Sequence, residues 1–130
     1  MYSKIITGIG LALCISTGAS SHEMTPAYPK LNNSYMEGVY FARLNLFNRR
    51  EDVEYYEIEV FTQEWEPVPF ASSTRVMKVK QHKRKSFEVY VKESDKDRVT
   101  YICTRSKLFK SKEQLTLVAS RICSKIRQNK

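Results

Sequence analysis

Three groups of residues have side chains whose types could do chemistry: the cysteines Cys103 and Cys123, the histidines His22 and His82, and the charged runs "EYYEIE" and "KVKQHKRKS". The two thiols flank a lysine-rich bend within "TYICTRSKLFKSKEQLTLVASRICSK". If the flanking strands form a hairpin centred on Glu113, Cys103 and Cys123 stand directly opposite each other. A non-hydrogen-bonded antiparallel pair brings opposed Cα atoms to about 4.5 Å, near the lower end of disulfide geometry. Closing such a loop stabilises a fold by about 3 kcal/mol in a chain-entropy model. No Cys-x-x-Cys pair or neighbouring histidine suggests redox chemistry, so the spacing reads as a staple that fixes the register of the last strand.

The remaining candidates point away from catalysis. Neither His22 nor His82 has the Cys, His or carboxylate company of a metal site. There is no Gly-x-Ser-x-Gly elbow, phosphate loop or His-Glu-x-x-His pair. With Gly38 the only glycine beyond residue 20, a backbone phosphate cradle is hard to build. The acidic residues of "EYYEIE" alternate as the wet face of a strand. The expectation is a non-enzyme with no cofactor and no metal.

The amino terminus sets the compartment. Met1–Lys4 is a short positive start, Ile5–Ile15 an apolar run, and Thr17–Ser21 small and polar. This is the layout of a secretory signal peptide over 1–20, with cleavage after Ala19 or Ser20, and Cys14 leaves with it. The apolar run is about half the ~20 residues of a spanning helix, and no later segment is long and apolar, so no transmembrane segment is expected after cleavage. Two cysteines then remain for an oxidising compartment, and the chain is expected to be exported. From Ser21 to Thr74 four Lys/Arg face nine Asp/Glu, while Arg75 to Lys130 has seventeen against five. The second half is therefore a cationic surface suited to association with an anionic partner.

Period-two alternation positions these groups. A lead-in over 21–36, rich in Pro, Asn and Ser, holds one possible edge strand at Tyr28–Leu31. In "GVYFARLNLFN" the residues Tyr40, Ala42, Leu44 and Leu46 share a face, and in "VEYYEIEVFTQEW" so do Tyr56, Ile58 and Val60. With "NRRED" between them these two read as a hairpin. "STRVMKVK", "SFEVYVK", "VTYICTRS" and "QLTLVASRICSKI" supply further strands, although Leu117, Ala119, Ser120, Cys123 and Ser124 also fit helical spacing. The expected fold over 37–130 is one all-β domain, an antiparallel sandwich of about seven strands.

Four stretches carry a family resemblance: "LNLFNRREDVEYYEIEVF", "SSTRVMKVKQHKRKSFEVYV", "DKDRVTYICTRS" and "QLTLVASRICSKI". From Gly38 to Ile126 the chain resembles the amino-terminal immunoglobulin-like domain of PapD-like periplasmic pilus (fimbrial) chaperones. One branch of that family joins its last two strands by a disulfide, as Cys103 and Cys123 would here. The resemblance implies a chaperone or accessory factor of pilus assembly that lends its final strand to a secreted pilin-like subunit or other periplasmic protein. Leu115, Leu117 and Ala119 would be the lent residues, and Lys30 and Lys125 are the nearest candidates for anchoring the subunit's terminal carboxylate. Alternatives from the residues themselves are an exported cationic domain that binds an anionic polymer, lipopolysaccharide or nucleic acid, and a structural surface subunit. No specific nucleic acid is expected, because the aromatics alternate as sheet residues and form no stacking platform.

Overall fold

The computed structural model describes residues 22–107 and 119–127. Among the described residues eight strands form in chain order: β1 (Glu23–Thr25), β2 (Asn32–Asn33), β3 (Val39–Phe47), β4 (Tyr55–Phe61), β5 (Val76–Lys78), β6 (Arg84–Lys92), β7 (Tyr101–Lys107) and β8 (Arg121–Lys125). A short 3-10 helix, Glu93–Arg98, links β6 to β7. The expected all-β sandwich is what the chain forms: two antiparallel sheets, one with β3 between β6 and the short strands β1 and β2, the other in the order β5-β4-β7-β8. That third strand pairs with sixth, and fourth with seventh, is the immunoglobulin-type arrangement.

Alternation explains the core. Ala42, Leu44 and Leu46 of β3, with Phe87, Val89 and Val91 of β6, face Tyr56, Ile58 and Val60 of β4 and Ile102 of β7. Residues between them, such as Arg43 and Glu88, stay on the outer face and pair across β3 and β6, Arg43 donating to Glu88.

Two expectations are corrected. β3 and β4 do not pair as a hairpin; each belongs to a different sheet, and the 48–54 segment arches over the end of the core. The cause is Asn48, fully buried at the corner. Its Nδ2 donates to the carbonyls of Val53 and Val79, and its Oδ1 accepts from the Arg50 N–H and the Tyr56 hydroxyl. Periodicity reveals which residues face inward but not which strands are neighbours, so two strands facing each other across a core read like two lying side by side.

The lead-in also differs. Tyr28–Leu31 is not a strand, and β1 and β2 flank it, both paired with β3. The chain between them runs along the outer edge of β8, where the carbonyls of Ala27 and Pro29 accept from the N–H groups of Lys125 and Arg127. Pro26 and Pro29 suit such a strap because they have no N–H to leave unpaired.

The expected signal peptide, 1–20, lies outside the described residues, as do Leu115 and Leu117. Among the described residues no helix is long and apolar enough to cross a membrane.

Candidate functional site: the β8 edge and its supports

β8 ends the second sheet. Its inner edge pairs with β7 in the register Tyr101↔Lys125, Cys103↔Cys123, Arg105↔Arg121, which is the hairpin register read from the cysteine spacing. The N–H of Ile126 reaches the Thr100 carbonyl and that of Ser106 reaches the Ser120 carbonyl, so even-numbered residues of β8 carry the ladder. Cys103 and Cys123 are thus a non-hydrogen-bonded pair, the closer of the two antiparallel pair types. They form a disulfide with Cα atoms 4.0 Å apart.

By the same alternation the backbone groups of Arg121, Cys123 and Lys125 point to the outer edge. Lys125 is taken by the strap, and the Ser124 hydroxyl donates to the Pro26 carbonyl beside it. Arg121 and Cys123 have no backbone partner on that edge among the described residues. Among the described residues the edge is therefore hydrogen-bonded at its carboxyl-terminal half and not at its amino-terminal half.

The outer face over this edge is covered by side chains. Arg121 holds Glu59 through Nε and Nη2, at 2.9 and 3.3 Å, and its guanidinium lies 5.2 Å from the centre of the Phe61 ring. Trp65, half exposed, stacks on Tyr101 at 4.2 Å. Cys103 is fully buried beneath this layer, outside the main core cluster.

Beneath the start of β8 sits a buried polar cluster that sequence reasoning did not single out as a site. His22, 1 % exposed, donates from Nε2 to the Thr104 carbonyl at 3.1 Å, with Thr104 Oγ1 at 2.9 Å. The Ser120 hydroxyl lies 3.4 Å from His22 Nδ1, and the imidazole rests 4.5 Å from the Tyr56 ring. Burial first, and then the charge of Arg50, push the His22 pKa down to about 4, outweighing the bond to Thr104. Arg50 is itself buried, pairs with Asp52 through two hydrogen bonds and reaches Ser106 and Ser120. Hydrogen bonding to that guanidinium holds the Asp52 carboxyl below its usual range. Burial drives Tyr56 up to about 12, so its hydroxyl stays protonated and donates to Asn48.

These groups could have been suspected from "FNRRED" only by asking why a turn needs Asn48 and Arg50 together; residue type alone does not separate a buried turn polar from a solvated one. The histidine is bound to a threonine carbonyl, the tyrosine to an amide, and each acts as a peg joining lead-in, corner and last hairpin. Among the described residues no three His, Cys, Asp or Glu side chains gather as a metal site.

The other residues singled out in the sequence fall as follows. Ala119 is exposed just ahead of β8. Lys125 is exposed on the outer face of β8 opposite Tyr101, and Lys30 is exposed one residue beyond Pro29 of the strap. The strap brings the backbones of the two lysines to the same end of β8. At that end Lys96 and Arg127, two cations not singled out in the sequence, line a polar pocket of about 410 Å³ with Asn32, Asn33 and Asp97.

Comparison with protein-family models and with curated proteins finds no match for this chain. Function is accordingly argued from the site, since a sandwich fold alone serves many functions.

Proposed function

We propose that this chain is an exported, non-catalytic protein-binding module that pairs the amino-terminal half of β8, with the residues leading into it, to a strand of another secreted protein. The observation that carries the reading is the half-closed edge. The strap occupies Lys125 and Arg127, while among the described residues the backbone groups of Arg121 and Cys123 on the same edge have no partner. Such groups are a template for a further strand. In strand addition the main-chain bonds give affinity and alternate side chains give specificity.

The disulfide suits that role. It holds β8 in one register against β7, so the order of outward-facing groups offered to a partner is fixed before binding. The resemblance to pilus chaperones supplies the class of partner, a pilin-like subunit in the periplasm, with Leu115, Leu117 and Ala119 as the side chains that enter its pockets. Lys30 and Lys125 stand at the opposite end of β8 from Ala119, where the partner's terminal carboxylate would be held.

The experiment is affinity capture of the tagged protein from the cells that make it, washed in high salt, with captured proteins identified by mass spectrometry. Strand addition survives the salt wash, whereas attraction between exposed charges is screened. Recovery of a pilin-like subunit by the parent, lost in a folded Leu117→Lys variant, is the expected result. Equal recovery by both proteins would remove the lent strand from the account.

A further inference from the structure

We propose that the 80–85 turn docks the protein end-on against an anionic membrane surface. Between Pro67 and Phe87 the chain has six Lys/Arg and no Asp/Glu. Other cations near this end are engaged: Arg49 lies 2.8 Å from Glu23, Arg50 lies 2.7 Å from Asp52, Lys78 lies 3.8 Å from Glu54 and Lys107 lies 2.6 Å from Glu57. Lys80, Lys83, Arg84 and Lys85 are all exposed, and among the described residues none of them has a carboxylate partner.

The turn is built to hold these charges in place. The Asn48 N–H donates to the Lys83 carbonyl at 3.0 Å, and the His82 N–H donates to the Asn48 carbonyl at 2.6 Å. His82 takes a left-handed conformation, φ 60°, which lets the chain reverse tightly between β5 and β6. The cations therefore ride on the buried Asn48 corner and not on a loose loop.

Charge also differs between the two ends of the sandwich. The loops at the far end, 34–38, 62–67 and 93–98, carry Glu37, Glu64, Glu66, Glu93, Asp95 and Asp97, which Lys96 and Arg98 with Lys30, Lys125 and Arg127 at the same end nearly balance, so the excess of positive charge lies at the turn. The potential of an anionic membrane decays within a Debye length, about 8 Å at physiological salt. The four cations of the turn lie inside that layer together only when this end of the sandwich meets the surface. A nucleic acid strand would instead need a groove and open aromatic rings. Phe47, the aromatic beside the turn, is already faced by the guanidinia of Arg49 and Arg84 at 5.6 and 5.7 Å.

This inference rests on residues separate from the β8 edge, and Leu117→Lys leaves it untouched. The test is co-sedimentation of the full chain with phosphatidylcholine vesicles, with and without phosphatidylglycerol. The neutral vesicles account for any binding through the apolar run Ile5–Ile15. The expected result is a preference for anionic vesicles that K80Q/K83Q/K85Q lowers about a hundredfold, roughly fivefold per lysine. K92Q/R105Q/R127Q, which removes the same charge elsewhere, lowers it only a few-fold. Equal losses in the two triple variants would reduce the effect to net charge and overturn the proposal. So would the absence of an anionic preference, or tighter binding to a single-stranded DNA oligonucleotide that displaces the vesicles.

Discussion

Cys103 and Cys123 oppose each other with Cα atoms 4.0 Å apart, and their disulfide lies on the face of the β7–β8 hairpin turned away from the main core. Core packing is supplied by their neighbours Ile102 and Ile122, so the cysteines act as a clasp on the hairpin and not as filling. Reduction, or Cys103→Ser with Cys123→Ser, is expected to lower stability by about 3 kcal/mol through the restored freedom of the unfolded chain. Urea unfolding with and without reductant measures this directly. A change below about 1 kcal/mol would mean that the hairpin holds its register unaided.

His22 makes stability depend on pH in a definite window. Its pKa is about 4 in the folded chain against 6.5 for an ordinary histidine, so between these values the unfolded state binds more protons. Stability from this group is fully present above pH 6.5, falls as pH drops toward 4, and changes no further below that. The full effect is on the order of 3 kcal/mol. Unfolding curves from pH 7 to 4 should show this slope in the parent and a shallower one in His22→Gln.

Asn48 is the residue whose loss should cost the fold most for its size. Asn48→Ala removes partners from the Val53 and Val79 carbonyls, the Arg50 N–H and the Tyr56 hydroxyl at once. With about 1–3 kcal/mol for each buried group left unpaired, a destabilisation of at least about 3 kcal/mol is expected. Tyr56→Phe, which removes one of these bonds, should cost about 1–2 kcal/mol. Thermal unfolding of the two variants side by side checks the ranking.

Much of this was legible in the sequence where a rule of period two applied. The inward sets of β3, β4 and β6 followed from alternation, and the pairing of Cys103 with Cys123 followed from their symmetry about Glu113. Partnership between strands was not legible, because Leu44 facing Ile58 across a core leaves the same pattern as two strands side by side. The strap was missed for a related reason. Ala27 and Pro29 contribute carbonyls to β8 without side-chain alternation, so nothing in residue type marks them. His22 was read as a residue beside a cleavage site; its burial depends on Thr104 and Ser120, distant in sequence and close only in the fold.

The strap itself is testable through the Ser124 hydroxyl, which donates to the Pro26 carbonyl at 2.7 Å. Ser124→Ala is expected to cost about 1 kcal/mol and to speed amide exchange at Lys125 and Arg127, whose N–H groups the strap covers. Unchanged exchange at those two amides would show that the backbone bonds alone hold the strap.

The central claim concerns the open half of the β8 edge, and amide hydrogen exchange reads it most directly. The measurement compares the protein alone with its complex with the captured partner, residue by residue along 119–127. The account predicts that the amides of Arg121 and Cys123 exchange readily in the free protein and become strongly protected in the complex, while Lys125 and Arg127 are protected in both. Arg121 and Cys123 amides that exchange equally fast with and without partner would contradict strand addition at this edge.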